Sequence, residues 1–231
     1  MLTRMLLCAA LAVAFVAPLT AEDKPNTAAV ASQKDPKRHE RFLEDIKKMN
    51  GKIDVVFLGD SITDGWRGQA AWKEHIAPLN TVNLGIGGDR TQHVLWRIQN
   101  GELDGYTPKA FVIMIGTNNM GGNSEAEIAD GVKAIIAEIH KKHVDAKVLL
   151  LGIFPRSPKA TDAIREKVKK TNELIAKFDG KNVKYLDIGE KFLEPDGALS
   201  KEIMPDYLHL SNKGYGIWAE AIEKDLKEML K

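Results

Sequence analysis

The sequence predicts an α/β fold: a three-layer α/β/α sandwich whose central five-stranded parallel sheet is covered by helices on both faces. Three observations support this prediction. The chain contains five short runs that are apolar throughout, as expected for strands buried on both faces. Segments with helical spacing of apolar residues separate those runs. With 231 residues, 44% of them hydrophobic, the chain is long enough for one core of this kind.

Each element has its own local signal. The predicted strands are residues 53–59, 81–85, 111–116, 147–153 and 183–187. The predicted helices are residues 38–49, 69–76, 91–99, 124–142 and 161–178, followed by a last helix capped by Ser211. The helix predicted over residues 124–142 opens with Ser124 and has Glu127 three residues later, which is a capping box.

The first residues differ from the rest of the chain. Arg4 precedes an uncharged run over residues 5–19 that is rich in Leu, Ala and Val. This pattern is typical of a secretory signal peptide, which we expect to cover residues 1–21. A buried helix or a retained membrane anchor is the alternative. Cleavage would remove Cys8, the only cysteine, leave no stable membrane insertion, and place the protein in the periplasm or outside the cell.

The remaining chain is predicted to be a short leader and one domain. Residues 22–36 are polar and contain two prolines, so we expect a flexible leader there, with the folded domain over residues 37–231. Lys and Arg number 33 against 32 Asp and Glu, which gives a net charge of +1. A balance this even argues against a nucleic-acid partner.

Chemically capable side chains follow the predicted strands. Ser61 follows the first strand, Gly88 the second and Asn118 the third, while Asp206 and His209 precede the last helix. Taken singly, the serine is a helix cap, the glycine and asparagine are turn residues and the histidine is on the surface. Because the carboxyl ends of parallel strands meet at one edge of a sheet, we expect these residues to lie together. A hydroxyl, an oriented imidazole and N–H donors are the components of an acyl-transfer site.

The same residues carry a family resemblance. Gly59-Asp60-Ser61, Gly88, Gly116-Thr117-Asn118 and Asp206-x-x-His209 resemble the four sequence blocks of the SGNH (GDSL) hydrolases. The longer strings at 85–89, 93–97, 116–119 and 208–210 are most similar to the catalytic subunits of intracellular platelet-activating-factor acetylhydrolase. This resemblance covers the chain from Asp54 to its end. It implies a flavodoxin-like sheet, no metal or other cofactor, hydrolysis of esters with small acyl groups, and a homodimer.

The expected roles follow from the chemistry of such a site. Ser61 is the predicted nucleophile, His209 the base and Asp206 the group that orients and stabilises the imidazole. The backbone N–H groups of Ser61 and Gly88 and the side-chain amide of Asn118 are the predicted oxyanion hole.

Further residues are candidates for the pocket wall. They are Asp60, Asp89, Arg90, His93 and Asn119. Arg90 is also a candidate contact for an acidic or phosphate-bearing leaving group, whereas Arg97 is better explained as an ion pair on a helix surface. Trp66 and Trp72 either line the site or pack beneath the sheet edge.

The leading hypothesis is a metal-independent serine esterase that removes acetyl or another short acyl group. Its substrate would be a small acyl ester or, given the predicted export, an O-acetylated carbohydrate. Lysophospholipase or thioesterase activity on the same fold is the alternative, as is a non-catalytic binding module. A nucleotide-binding protein is disfavoured because Gly59-Asp60-Ser61 is too short and acidic to cradle phosphate.

Overall fold

The protein forms a five-stranded, wholly parallel sheet in a computed structural model that describes residues 25–231. The strand order is β2-β1-β3-β4-β5, which is the flavodoxin-like arrangement. The strands are β1 (Val55–Gly59), β2 (Thr81–Gly85), β3 (Ala110–Met114), β4 (Lys147–Leu151) and β5 (Val183–Leu186). The predicted fold class is confirmed.

Helices cover both faces of this sheet. They are α1 (Pro36–Lys48), α2 (Ser61–Asp64), α3 (Thr91–Arg97), α4 (Glu125–Lys142), α5 (Ala163–Ile175) and α6 (Asn212–Met229). One hydrophobic core contains buried residues of α1, α3, α4 and α5, and the other contains those of α2 and α6. The predicted caps are present, since Ser124 and Glu127 form a capping box and Ser211 Oγ accepts the N–H of Gly214.

The side chains of β1 show why the strands are apolar throughout. Val56 and Leu58 lie in the first core, and Val55 and Phe57 lie in the second. Successive side chains of a strand point to opposite faces, and here both faces are covered. All four of these residues are fully buried.

Some predicted elements are shorter than expected. The helix predicted over residues 69–76 is instead a π-helical turn, Trp72–Ile76, followed by a 3-10 turn, Ala77–Leu79. That second turn contains Pro78, which cannot donate the backbone bond that an α-helix requires. The third strand ends at Met114 rather than at residue 116, where Gly116 has a φ of +125° that a strand does not use.

The expectation of a flexible leader is wrong for residues 25–36. Ala28 lies in a 3-10 turn and is fully buried, and its carbonyl accepts a hydrogen bond of 2.8 Å from Thr91 Oγ1. The backbone comes so close to α4 that a Cβ on Gly131 would lie 2.5 Å from the same carbonyl oxygen. Burial and hydrogen bonding of the backbone therefore hold the segment, although its own composition is polar.

The predicted signal peptide, residues 1–21, lies outside the described residues, as does Cys8. Between residues 25 and 231, no helix is long and apolar enough to cross a membrane.

Candidate active site

Ser61 lies at the turn between β1 and α2. Asp60 caps this short helix, with its Oδ1 accepting the N–H of Ile62 at 2.9 Å. Only glycine fits at position 59, because a Cβ there would lie 2.5 Å from the carbonyl oxygen of Met114 in the neighbouring strand. The close packing of β1 against β3 therefore holds the serine at the carboxyl end of the sheet.

The three predicted catalytic side chains are hydrogen-bonded in a row. Ser61 Oγ lies 2.9 Å from His209 Nε2, and His209 Nδ1 lies 2.6 Å from Asp206 Oδ2. The other oxygen of Asp206 accepts the N–H groups of Leu208 at 3.1 Å and His209 at 2.7 Å. The carboxylate can only accept, so His209 donates from Nδ1 and its Nε2 is free to take the serine proton.

Asp206 is suited to remain ionised. Partial burial raises the pKa of Asp206, but the side-chain and backbone hydrogen bonds and the charge of His209 outweigh that effect, so its pKa lies below the usual value. The side chains of Asp206 and His209 are 56% and 44% exposed. The catalytic row is therefore open to solvent at the rim of the sheet.

Three N–H groups are the predicted oxyanion donors. Gly88 adopts a φ of +73°, and a Cβ on the preceding Gly87 would lie 3.9 Å from the Cβ of Ser61. Within the described chain, no acceptor receives the N–H of Ser61 or of Gly88. Asn118 Nδ2 donates one proton to the carbonyl of Asp89 at 2.8 Å, which leaves its second proton available. N–H groups without a protein acceptor are the kind of donor that a developing oxyanion requires.

A buried ion network holds the loop that carries Gly88. Asp89 is 1% exposed and accepts from Arg97 Nε at 3.0 Å and from Lys34 Nζ at 3.3 Å. Arg97 is 3% exposed and also donates to Glu102 and to the carbonyl of Leu84. The interpretation of Arg97 as a surface ion pair is therefore wrong, because the guanidinium is buried among partners from β2, the loop after it and the π-helical turn Ile98–Glu102.

Asp89 connects that network to the oxyanion donors. Burial raises the pKa of Asp89, while the charges of Arg97 and Lys34 oppose that rise. Its backbone carbonyl holds the amide of Asn118, and Gly88 immediately precedes it. One residue thus positions two of the three predicted donors.

Three of the five residues predicted to line the pocket are buried and do not form an exposed pocket wall. Asp60 and Asn119 are 0% exposed and Asp89 is 1% exposed, so none of them lines an open pocket. The amide of Asn119 donates to Thr91 Oγ1 and Gln92 Oε1 and ties the β3 loop to α3. Sequence patterns show polarity but not burial, which explains the error.

Asp60 has unusual surroundings for a carboxyl group. Its Oδ2 is buried without a hydrogen-bond partner in the described chain. Burial raises the pKa of Asp60 to about 7, although the hydrogen bond from Ile62 acts in the opposite direction. The group next to the serine is therefore partly protonated at neutral pH.

The other two candidates lie nearer the surface. Arg90 is exposed, and His93 Nδ1 accepts the backbone N–H of Arg90 at 3.0 Å. Burial and the charges of Lys34 and Arg90 lower the pKa of His93 to about 4, so it is neutral at pH 7. Trp66 is fully buried in the second core and is not part of the site.

A cavity of about 490 Å³ adjoins the catalytic row. Its wall includes Asp206, Tyr207 and Arg156. Sequence reasoning missed Arg156, which follows β4 and obeys the same strand-end rule as the other site residues. It also missed Lys34, for which the sequence carried no signal. Among residues 25–231, no group of three or more His, Cys, Asp or Glu side chains is placed to hold a metal ion.

Comparison with known proteins identifies the family. Residues 57–217 match the GDSL-like lipase/acylhydrolase family. Over 195 residues, the chain is 39% identical to platelet-activating factor acetylhydrolase IB subunit alpha2 of Rattus norvegicus, covering 84% of this chain and 83% of that protein. Over 194 residues it is 39% identical to subunit alpha1 of Homo sapiens, covering 83% and 82%.

Solved structures share the fold. A GDSL-like lipase from Bacteroides thetaiotaomicron superimposes with a TM-score of 0.66 at 19% identity, covering 82% of this chain and 97% of the other. A carbohydrate acetylesterase family member from Sinorhizobium meliloti gives a TM-score of 0.58 at 15% identity, covering 76% and 98%. From its sequence and its fold, the chain belongs to the GDSL-like lipase/acylhydrolase family and is a hydrolase of acyl esters.

Proposed function

We propose that the protein is a serine esterase that removes acetyl or another short acyl group through an acyl-enzyme, without a metal ion. One observation carries this proposal: the continuous hydrogen-bonded row from Ser61 through His209 to Asp206. The relatives at 39% identity are named acetylhydrolases, which supports a short acyl group.

In the proposed reaction, Ser61 Oγ attacks the ester carbonyl while His209 Nε2 takes the hydroxyl proton. The new C–O bond places a negative charge on the carbonyl oxygen, and the N–H groups of Ser61, Gly88 and Asn118 stabilise it. As the tetrahedral intermediate collapses, the ester C–O bond breaks and His209 gives its proton to the departing alcohol. Asp206 stabilises the imidazolium between the two transfers.

Deacylation repeats the same chemistry with water. His209 takes a proton from a water molecule, the resulting hydroxide attacks the acyl carbon, and the Ser61 oxygen leaves with the proton. The exposed position of the catalytic row gives water direct access.

The test is turnover of 4-nitrophenyl acetate by the full folded chain. Ser61→Ala is expected to lower kcat by about 10⁴-fold or more, because the nucleophile is lost. Asp206→Asn is expected to lower kcat by a smaller factor, because the main-chain turn still positions His209. Ser32→Ala is the matched control, because this exposed serine bonds only through its backbone. Unchanged turnover in Ser61→Ala would exclude the mechanism.

We further propose that the substrate is an O-acetylated carbohydrate met outside the cytoplasm. The basis is the signal-peptide pattern of residues 1–21, together with the carbohydrate acetylesterase among structures of the same fold. Comparing acetate with octanoate esters, and then acetate release from acetylated xylan and pectin, tests the substrate. N-terminal sequencing of the exported protein tests cleavage. Preferential hydrolysis of octanoate would favour the lipid hydrolase alternative.

We also propose a homodimer, by analogy with the family resemblance. Light scattering after gel filtration of the mature chain tests this, with a single species of monomer mass contradicting it.

A further inference from the structure

The predicted oxyanion donor Gly88 lies in a turn whose central peptide can face either of two ways. The N–H of Asp89 donates to the carbonyl of Ile86 at 3.1 Å, which closes a β-turn with Gly87 and Gly88 at its centre. Gly88 has a φ of +73° and Gly87 does not have a positive φ, as in a type II turn. A type I turn with the same ends differs mainly by rotation of the central peptide through about 180°. The ends of the turn therefore do not decide which way this peptide faces.

The orientation of the peptide between Gly87 and Gly88 sets the direction of the donor. The peptide is trans, so the carbonyl of Gly87 and the N–H of Gly88 point in opposite directions. Fixing the carbonyl on one side therefore fixes the N–H on the other. Glycine adopts positive and negative φ with similar ease, so two successive glycines do not by themselves hold either orientation. Another group must hold the peptide.

Lys34 makes the contacts that this requires. Its Nζ donates to the carbonyl of Gly87, and to Oδ1 of Asp89 at 3.3 Å. A Cβ on Gly88 would lie 3.3 Å from the same nitrogen, so the ammonium group lies against three successive residues of the turn. A cation that binds a peptide oxygen also polarises the peptide, which strengthens its N–H as a donor.

Contacts on both sides of Lys34 hold its backbone in place. The N–H of Ser32 donates to the carbonyl of Gln92 at 3.1 Å, and the side chain of Asp35 caps α1. The side chain of Lys34 is itself 32% exposed, so it does not fill the core. Its replacement therefore removes the two hydrogen bonds without opening a cavity in the core.

We infer that Lys34 is a positioning residue of the esterase, which holds the peptide between Gly87 and Gly88 in the orientation that directs the Gly88 N–H to the oxyanion. This inference rests on the proposed function, and it adds to the site a residue from outside the segment 57–217 that matches the family. Lys34 acts through the peptide and not on the substrate. Its effect is greatest in the transition state, because the carbonyl oxygen becomes charged only as the reaction proceeds.

The first test is turnover of 4-nitrophenyl acetate by Lys34→Met. The apolar side chain cannot donate, so the peptide is free to rotate and the Gly88 N–H is misdirected for part of the time. Outright deletion of an oxyanion donor costs about 10²–10³-fold in kcat, so we expect a smaller fall of about 10- to 100-fold here. Both acylation and deacylation pass through an oxyanion, so KM should change by less than about twofold.

Two further variants accompany this one. Lys34→Arg keeps a charged donor that can reach both oxygens, and it is expected to recover kcat to within about threefold of the wild type. Lys37→Met removes the same charge from an exposed lysine in the first turn of α1 and is the matched control. The control should keep the wild-type kcat.

A transition-state analogue separates positioning from a loss of folded protein. Ser61 Oγ adds to the boron of phenylboronic acid, its proton passes to His209, and the tetrahedral anion carries a hydroxyl oxygen in place of the ester oxyanion. The inhibition constant of phenylboronic acid should rise in Lys34→Met by a factor similar to the fall in kcat. Partial unfolding would instead reduce the amount of active enzyme and leave the inhibition constant of the remainder unchanged.

Aminoethylation restores the lysine-like group within one folded protein. Lys34→Cys, in a chain that also carries Cys8→Ala, reacts with 2-bromoethylamine, and the thiolate displaces bromide to give a side chain with the length and charge of lysine. We expect kcat to be low before this reaction and to rise by about tenfold or more after it. The wild-type chain, treated in the same way, should not change.

Three results would overturn the inference. They are a kcat in Lys34→Met within about twofold of the wild type, an inhibition constant that does not rise, and aminoethylation that restores no activity. A loss of activity that accompanies a change in molar mass by light scattering would also overturn it, because Lys34 would then act at a contact between subunits. Absence of 4-nitrophenyl acetate turnover by the wild type, or unchanged turnover in Ser61→Ala, would instead contradict the proposed function.

Discussion

Replacing Arg97 with methionine tests whether the buried ion network holds the site together. The substitution keeps a long apolar stem but removes the guanidinium from Asp89, Glu102 and the carbonyl of Leu84. Asp89 and Glu102 are 1% and 0% exposed, so water cannot replace the lost partner. Breaking a buried pair in this way costs about 3–5 kcal/mol, and two carboxylates here lose the same cation. Asp89 keeps Lys34 Nζ at 3.3 Å and Glu102 keeps His39 Nδ1 at 2.9 Å, so we expect a loss within that range.

The measurement is equilibrium urea unfolding at pH 7, with Lys227→Met as the control. Lys227 pairs with Glu223 on the surface of α6, where the two side chains are 60% and 39% exposed. Such a pair contributes about 0–1 kcal/mol. A loss in Arg97→Met no larger than that of the control would refute the reasoning.

The pH dependence of the same variant separates a lost charge from lost packing. Without Arg97, the folded chain holds a proton on Asp89 more tightly than the unfolded chain does, because burial raises the pKa of Asp89 and the main charge that opposes this rise is gone. Its stability is then highest at pH values below the usual carboxyl pKa of about 4 and falls as the pH rises above it. A loss that stays constant between pH 5 and pH 8 would point to packing instead.

Other substitutions test further parts of the structure. Asp60 has a folded pKa of about 7 against its usual 3.8, so stability that is present at pH 4 is lost as the pH rises to 7. Between pH 4 and pH 8, the free energy of unfolding of Asp60→Asn in urea should therefore rise relative to that of the wild type by on the order of 4 kcal/mol. Parallel pH profiles of the two proteins would contradict this. Gly59→Ala should lose about 1–3 kcal/mol because its Cβ would meet the carbonyl of Met114 at 2.5 Å, whereas Gly216→Ala, with nothing within 4 Å, should be neutral or stabilising. Thermal melting distinguishes the two, and equal shifts would refute the steric account. Asn118→Ala should lower kcat for 4-nitrophenyl acetate by about 10²–10³-fold with the melting temperature little changed, and full activity would remove it from the oxyanion hole.

Ser61, Gly88 and Asn118 follow one geometric rule, whereas Asp206 and His209 come from the loop before α6. Ser61, Gly88 and Asn118 end three parallel strands, and parallel strands bring their carboxyl ends to one edge. The bond between Ser61 and His209 joins residues 148 positions apart, yet their motifs were recognisable separately. Arg156 also follows a strand end, after β4, but no recognisable sequence motif surrounds it.

Burial of polar residues was the main source of error. Charged and amide side chains are usually found at the surface. Three of them are buried here, each with a partner from another part of the chain: Asp89, Asn119 and Arg97. Lys34 lies 55 residues from Asp89 in a polar segment whose composition predicts a flexible leader, so its pairing with Asp89 has no local signal.

By itself, the sequence determined the order of strands and helices, the parallel sheet and the residues at its carboxyl edge. Apolar periodicity and turn residues are local properties, so they can be read along the chain. Only the tertiary structure decided which charges are buried together, how residues 25–36 pack on the domain, and that Arg156 and Asp206 line one cavity. These features depend on pairing between distant segments, because a charged side chain enters the interior only where another segment supplies its partner.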